Sequence, residues 1–104
     1  MGMGIGINDA APDEGVLKGK QEPVACSVWF TATGRMIPKL LKYKEQNGEI
    51  ITIYNVHVVT SAKKNYCGIP TRDFDCEAVI GGILKKFRLN FNAESDIPWK
   101  MVWK

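Results

Sequence analysis

The residues in this chain with chemistry to offer fall into a few sets. There is one histidine, His57, and there are three cysteines, Cys26, Cys67 and Cys76. Carboxylates alternate at Asp73, Asp75 and Glu77, with Asp13 and Glu14 apart from them. Arg35, Lys39, Lys42 and Lys44 share a stretch that contains no acid, and Lys63-Lys64 and Lys85-Lys86 with Arg88 follow.

Nucleophilic catalysis needs a nucleophile, a base within hydrogen-bond reach and a group that orients the base. His57 lies in Tyr54-Asn-Val-His-Val-Val59, and no motif ties Ser61 or a cysteine to it. It is read as a half-exposed strand histidine, so no catalytic residue is assigned. A zinc site calls for closely spaced Cys or His pairs. Cys67 and Cys76 are nine residues apart and Cys26 is remote. No metal ligand or cofactor is therefore expected, and Cys26 and Cys76, on apolar strand faces, are read as small buried hydrophobes. Asp75 and Glu77 would face Arg88 and Lys86 across a hairpin, as ion pairs on a solvated face that contribute little each.

The basic residues carry the functional expectation. Lys42 and Lys44 share the face opposite Leu41 and Tyr43 and so point to solvent together. Lys63 and Lys64 are expected on a loop. Trp29, whose strand neighbours Ser27 and Thr31 are polar, and Tyr54 could offer stacking surfaces or hot-spot contacts. A partner-binding set follows: Trp29, Arg35, Lys39, Lys42, Lys44, Tyr54, Lys63 and Lys64. The competing account is that such lysines only keep edge strands from pairing with other chains.

The elements that must position these residues are strands. Val24, Cys26, Val28 and Phe30 alternate with Ala25, Ser27, Trp29 and Thr31, which is the strand period of two. Gln46-Asn47-Gly48 is a strong turn signal. A two-residue loop there would set Lys44 opposite Ile51. A three-residue loop with Gly48 left-handed sets Tyr43 opposite Ile51 and Leu41 opposite Ile53, pairing apolar with apolar, and is preferred. Ile80-Gly81-Gly82-Ile83 reads as a two-residue turn that pairs Cys76 with Phe87 and Phe74 with Leu89. Trp99, Met101 and Trp103 alternate with polar positions and should pair back onto Leu89–Phe91. The short stretch Pro38–Glu45 fits a strand as well as a helix.

The fold class expected is therefore mostly β: a small antiparallel barrel or sandwich of about six strands, of SH3-like or OB-like size. That likeness is one of strand number and spacing, and no family motif accompanies it. Residues 1–22, with Met and Ile alternating with Gly2, Gly4 and Gly6, are read as a flexible lead-in or an edge strand. Residues 23–104 are read as a single β domain. At 104 residues and net charge +3 the chain is long enough to bury a core and only mildly basic. An odd cysteine count, no export signal and no apolar run of membrane length point to the cytoplasm and to no membrane partner. The function expected is a non-enzymatic binding module, of adaptor or inhibitor type, that docks a protein or nucleoprotein complex. The alternative is direct nucleic-acid binding through the Arg35–Lys44 strand.

Overall fold

The computed structural model describes residues 13–15 and 19–104. They contain eight strands and no helix: β1 (Glu22–Pro23), β2 (Ala25–Phe30), β3 (Met36–Lys44), β4 (Ile50–Ile53), β5 (His57–Tyr66), β6 (Ile69–Ile80), β7 (Ile83–Phe91) and β8 (Trp99–Trp103). The expectation for residues 1–22 falls mainly on positions outside the described residues.

Local turn chemistry sets the registers. Gly48 is left-handed at φ 88°, its N–H donates to the Glu45 carbonyl at 2.9 Å, and Asn47 Oδ1 accepts from Glu49 N at 2.9 Å. This three-residue loop places Tyr43 opposite Ile51 and Leu41 opposite Ile53, as the apolar pattern requires. Gly81 and Gly82 at φ 60° and 79° make the two-residue turn whose twist suits a hairpin. Cys76 then faces Phe87, and Phe74 faces Leu89. The last strand pairs Leu89 with Met101 and Phe91 with Trp99.

The strands form two antiparallel sheets, one ordered β1-β8-β7-β6-β5 and the other β2-β3-β4. The arrangement is a sandwich rather than a closed barrel, joined at two corners where the chain changes sheet. At one corner β1 runs into β2 and Val24 N donates to Trp99 O at 3.1 Å. At the other, Val56 N donates to Lys39 O at 3.2 Å, and the preceding Asn55 adopts φ 53°, a region that Asn tolerates better than most residues. The bond at Lys39 is available because β3 bulges there: Ser27 pairs with Leu40 and Val28 with Pro38, leaving Lys39 unpaired on β2.

The inner faces bury Leu41, Ile53, Phe74, Phe87, Leu89 and Met101 almost completely. Trp99 packs on Phe74 and Phe91 with ring centroids 5.7 and 4.7 Å apart. Trp103 is partly buried, edge-on to Tyr43 at 6.0 Å and to Phe87 at 5.7 Å.

The expected mostly-β sandwich is present, with eight strands among the described residues where about six were expected. Two expectations are corrected. His57–Tyr66 is one long strand. Ser61–Asn65 is therefore not a loop; Lys63 and Lys64 lie inside β5. Phe30 shares its strand's inward alternation with Val28, yet it is 71% exposed because it lies beyond the edge of the covered core.

Removing Lys100–Lys104 would delete Met101 and Trp103. Truncating one large buried side chain costs about 3–5 kcal/mol, against a total of roughly 5–15 kcal/mol for a domain. The shortened chain should lose its cooperative thermal transition. A melt within a few degrees of the intact protein would contradict this packing.

Candidate binding groove

β3 is longer than the strands beside it. β4 reaches only Leu41–Lys44, so among the described residues Met36–Pro38 has β2 on one side and no strand on the other. Pro38, which has no N–H to leave unpaired, suits this position. Facing it is β5, the outer strand of the large sheet. A groove of about 490 Å³ opens between the two. Phe30, Arg35, Met36 and Lys39 line one wall, and Val58, Ser61 and Arg72 line the other. Among the described residues no carboxylate belongs to the lining.

The turn between β2 and β3 aims Arg35 at this mouth. Gly34 is left-handed at φ 84°, and the backbone of Arg35 is held by Thr31, whose N–H donates to Arg35 O at 2.9 Å and whose Oγ1 accepts from Arg35 N at 3.0 Å. Lys39, on the bulge, lays its Nζ 4.8 Å from the ring centroid of Trp29, a cation–π contact. Trp29 itself is 63% exposed. On the opposite wall Lys63 stands directly across from Arg72. Like charges placed opposite each other on a sheet are destabilising. Among the described residues Arg35, Lys39, Lys63 and Arg72 make no ion pair.

The residues expected to bind a partner do not all converge. Arg35 and Lys39 meet at the groove, with Trp29 against Lys39. Lys42 is exposed on the outer face of the small sheet, opposite Ala25 and Thr52. Lys44 lines a separate open depression with Tyr43, Lys85 and Trp103. Tyr54, at the corner, borders a shallow hollow with Val79 and Ile80. Lys63 flanks the groove, whereas Lys64 points to the other face and sits 3.8 Å from Glu14. Two groove residues, Phe30 and Arg72, lay outside the sequence expectation. The signal for Arg72 was the turn at Cys67-Gly68, which sets the β5–β6 register.

The acids occupy the outer face of the large sheet; Asp75 and Glu77 reach the groove only through Thr60 and His57, which are among its lining residues. Asp75 is met by Arg88 Nε at 2.9 Å, Lys104 Nζ at 2.8 Å and the Thr60 hydroxyl at 3.2 Å. Desolvation alone would raise its pKa, but the Lys104 and Arg88 contacts outweigh it and hold the carboxyl at about 2. Register sets Glu77 opposite Lys86 as expected, but its side-chain contact is with His57 Nδ1, at 3.4 Å. Asp73 is only 4% exposed and accepts from the Tyr66 hydroxyl and from Asn90 Nδ2. Burial and this bond push the Tyr66 pKa up. His57 faces Glu77 on this outer side, while Ser61 lies opposite Phe74 on the inner side. The hydroxyl nearest in sequence on the histidine's own face, Thr60, is committed to Asp75.

Cys76 is buried and Cys26 half-buried, and burial raises both thiols to about 12. Cys67 is exposed, at φ 53° in the turn between β5 and β6. Among the described residues no three His, Cys, Asp or Glu side chains are grouped to hold a metal ion. No helix among them is long and apolar enough to cross a membrane. Family models, curated proteins and solved structures give no match to the chain.

Two outcomes follow. A bulky thiol reagent should modify Cys67 rapidly in the native protein and reach Cys26 and Cys76 only on unfolding; fast reaction at all three would overturn the face assignment. Asp75 has a folded pKa below its unfolded value, so its stabilisation is full above the ordinary carboxylate pKa of about 4. It should be lost as pH falls from there towards about 2. Asp13, its carboxyl lowered by backbone N–H groups of Gly15, Gly68 and Cys67, works in the same direction. Urea midpoints followed down the acid limb should fall less steeply for Asp75→Asn than for the parent chain.

Proposed function

We propose that this chain is a non-enzymatic binding module that docks an anionic part of a protein or nucleoprotein partner in the groove between β3 and β5. The observation that supports it most is the sign of the charge: among the described residues Arg35, Lys39 and Arg72 line the groove without one carboxylate, and Lys63 stands beside Arg72 at the cost of like-charge repulsion. The acids elsewhere on the large sheet already have partners, so the groove's charge is left for a ligand. Three free thiols, one of them exposed, fit work in a reducing cytoplasm.

A second reading, direct binding of single-stranded nucleic acid, is favoured by one feature. Phe30 and Trp29 are both largely exposed and flank the cations, the combination of stacking surface and positive groove that such binders use.

The test is affinity capture from native cytoplasm with the full chain, with and without nuclease. Surface changes away from special features cost within about ±0.5 kcal/mol, so charge reversal on either face should leave the fold intact. Arg35→Glu with Lys39→Glu should weaken capture about tenfold or more, whereas Lys42→Glu with Lys44→Glu should change it little. The opposite ranking removes the groove as the site. Capture that vanishes with nuclease and falls steeply with salt establishes the second reading instead.

A further inference from the structure

We infer that the open edge of β5 receives an acidic, extended segment of the partner as an added strand; this rests on the reading that the β3–β5 groove is the binding site. Backbone geometry shows which groups are free. Asn65 stands opposite Pro70, which has no N–H, and its carbonyl accepts instead from outside the sheet, from Glu14 N at 2.6 Å. Along an antiparallel strand, residues two apart turn their backbone groups the same way. Lys63 and Ser61 therefore present their N–H and C=O groups outward, and among the described residues no strand pairs with them there.

The protein already shows how this edge takes a guest. At Asn65 the guest is Asp13-Glu14, acidic and running parallel to β5, with the Glu14 carboxylate 3.8 Å from Lys64. The stretch beside the groove offers the same backbone pattern with stronger charge. Successive side chains of an added strand alternate between faces. Those on the groove side would meet Lys63 and Arg72, with Arg35 across the gap, and a carboxylate there would relieve the repulsion between the first two. The other side would lie along Thr60 and Ala62, which ask for no charge. The segment recognised is thus one with an acid at every second position and β-forming residues between, bound by main-chain pairing for affinity and by alternate carboxylates for selectivity.

The test uses the full chain, labelled for amide NMR, and a peptide of about ten residues alternating Glu with Val, long enough to cover this edge. The peptide should shift and protect the Ser61 and Lys63 amides. Two versions N-methylated on alternate residues, one for each face of the peptide backbone, separate pairing from simple attraction. One of them should bind at least about tenfold more weakly, as should Lys63→Gln with Arg72→Gln tested against the parent peptide. Equal binding by both methylated peptides, with shifts confined to Arg35 and Lys39, would leave the groove as a site but end strand addition. Shifts produced by an oligothymidylate and not by the peptide would assign the groove to nucleic acid. Ser61 and Lys63 amides protected before any peptide is added would mean that the edge is already filled. If neither peptide nor oligonucleotide moves any groove residue, the groove reading itself fails with it.

Discussion

The constraint on which the rest of the structure depends is an inequality between its two sheets. The large sheet presents Phe74, Phe87, Leu89 and Met101 on one face, and among the described residues three strands cover them. Apolar area must leave water to stabilise a fold of this size, so the small sheet is held tightly over the centre of the large one. The two corner bonds, Val24 N to Trp99 O and Val56 N to Lys39 O, do the holding. What three strands cannot cover is the far end of the β5–β6 hairpin. The groove is that overhang: the space left where the small sheet runs out before β5 does.

An overhanging hairpin has little core to stabilise it, and this one is held by polar contacts. Cys67-Gly68 forms the tight turn, with Cys67 in a left-handed conformation that costs a non-glycine residue roughly 1–2 kcal/mol. Asp13 offsets that by accepting from Cys67 N at 3.1 Å and from Gly68 N at 2.7 Å. On the outer face Tyr66, Asp73, Asn90 and Thr71 form a hydrogen-bonded cluster, with Asn90 Nδ2 donating to Asp73 at 2.8 Å and to Thr71 at 2.9 Å. A buried carboxylate is tolerable only when its oxygens are paired in this way. These contacts hold the hairpin where the apolar core does not reach it.

Much of this was legible in the sequence wherever local chemistry and burial agreed. Asn47-Gly48 and Gly81-Gly82 are turn residues flanked by alternating apolar positions, and both registers follow from matching the apolar faces. Legibility stopped where burial stopped. Ser61–Asn65 carries no large apolar residue on either face, so no alternation marks it as a strand. Cys67 is not a residue that advertises a left-handed turn, which hid the hairpin and with it the Lys63–Arg72 pairing. The four cations between Arg35 and Lys44 look like one surface in sequence. The bulge at Lys39 and the length of β3 place Arg35 and Lys39 at one end of the small sheet and Lys44 at the other.

The core and the groove share one register. Along Arg72-Asp-Phe-Asp-Cys-Glu77 the strand period of two sorts the sequence into Arg72, Phe74 and Cys76 on the inner face and Asp73, Asp75 and Glu77 on the outer. The same alternation that buries Phe74 and Cys76 sends Arg72 into the groove and sends the acids to the far side, where Arg88, Lys104, Asn90 and His57 meet them. A slip of one residue at the Gly81-Gly82 turn would turn all three carboxylates onto the apolar inner face and take Arg72 out of the groove at once. The groove's charge is therefore not an ornament added to a finished fold. The burial of Phe74 and Cys76 is what keeps Arg72 facing the groove.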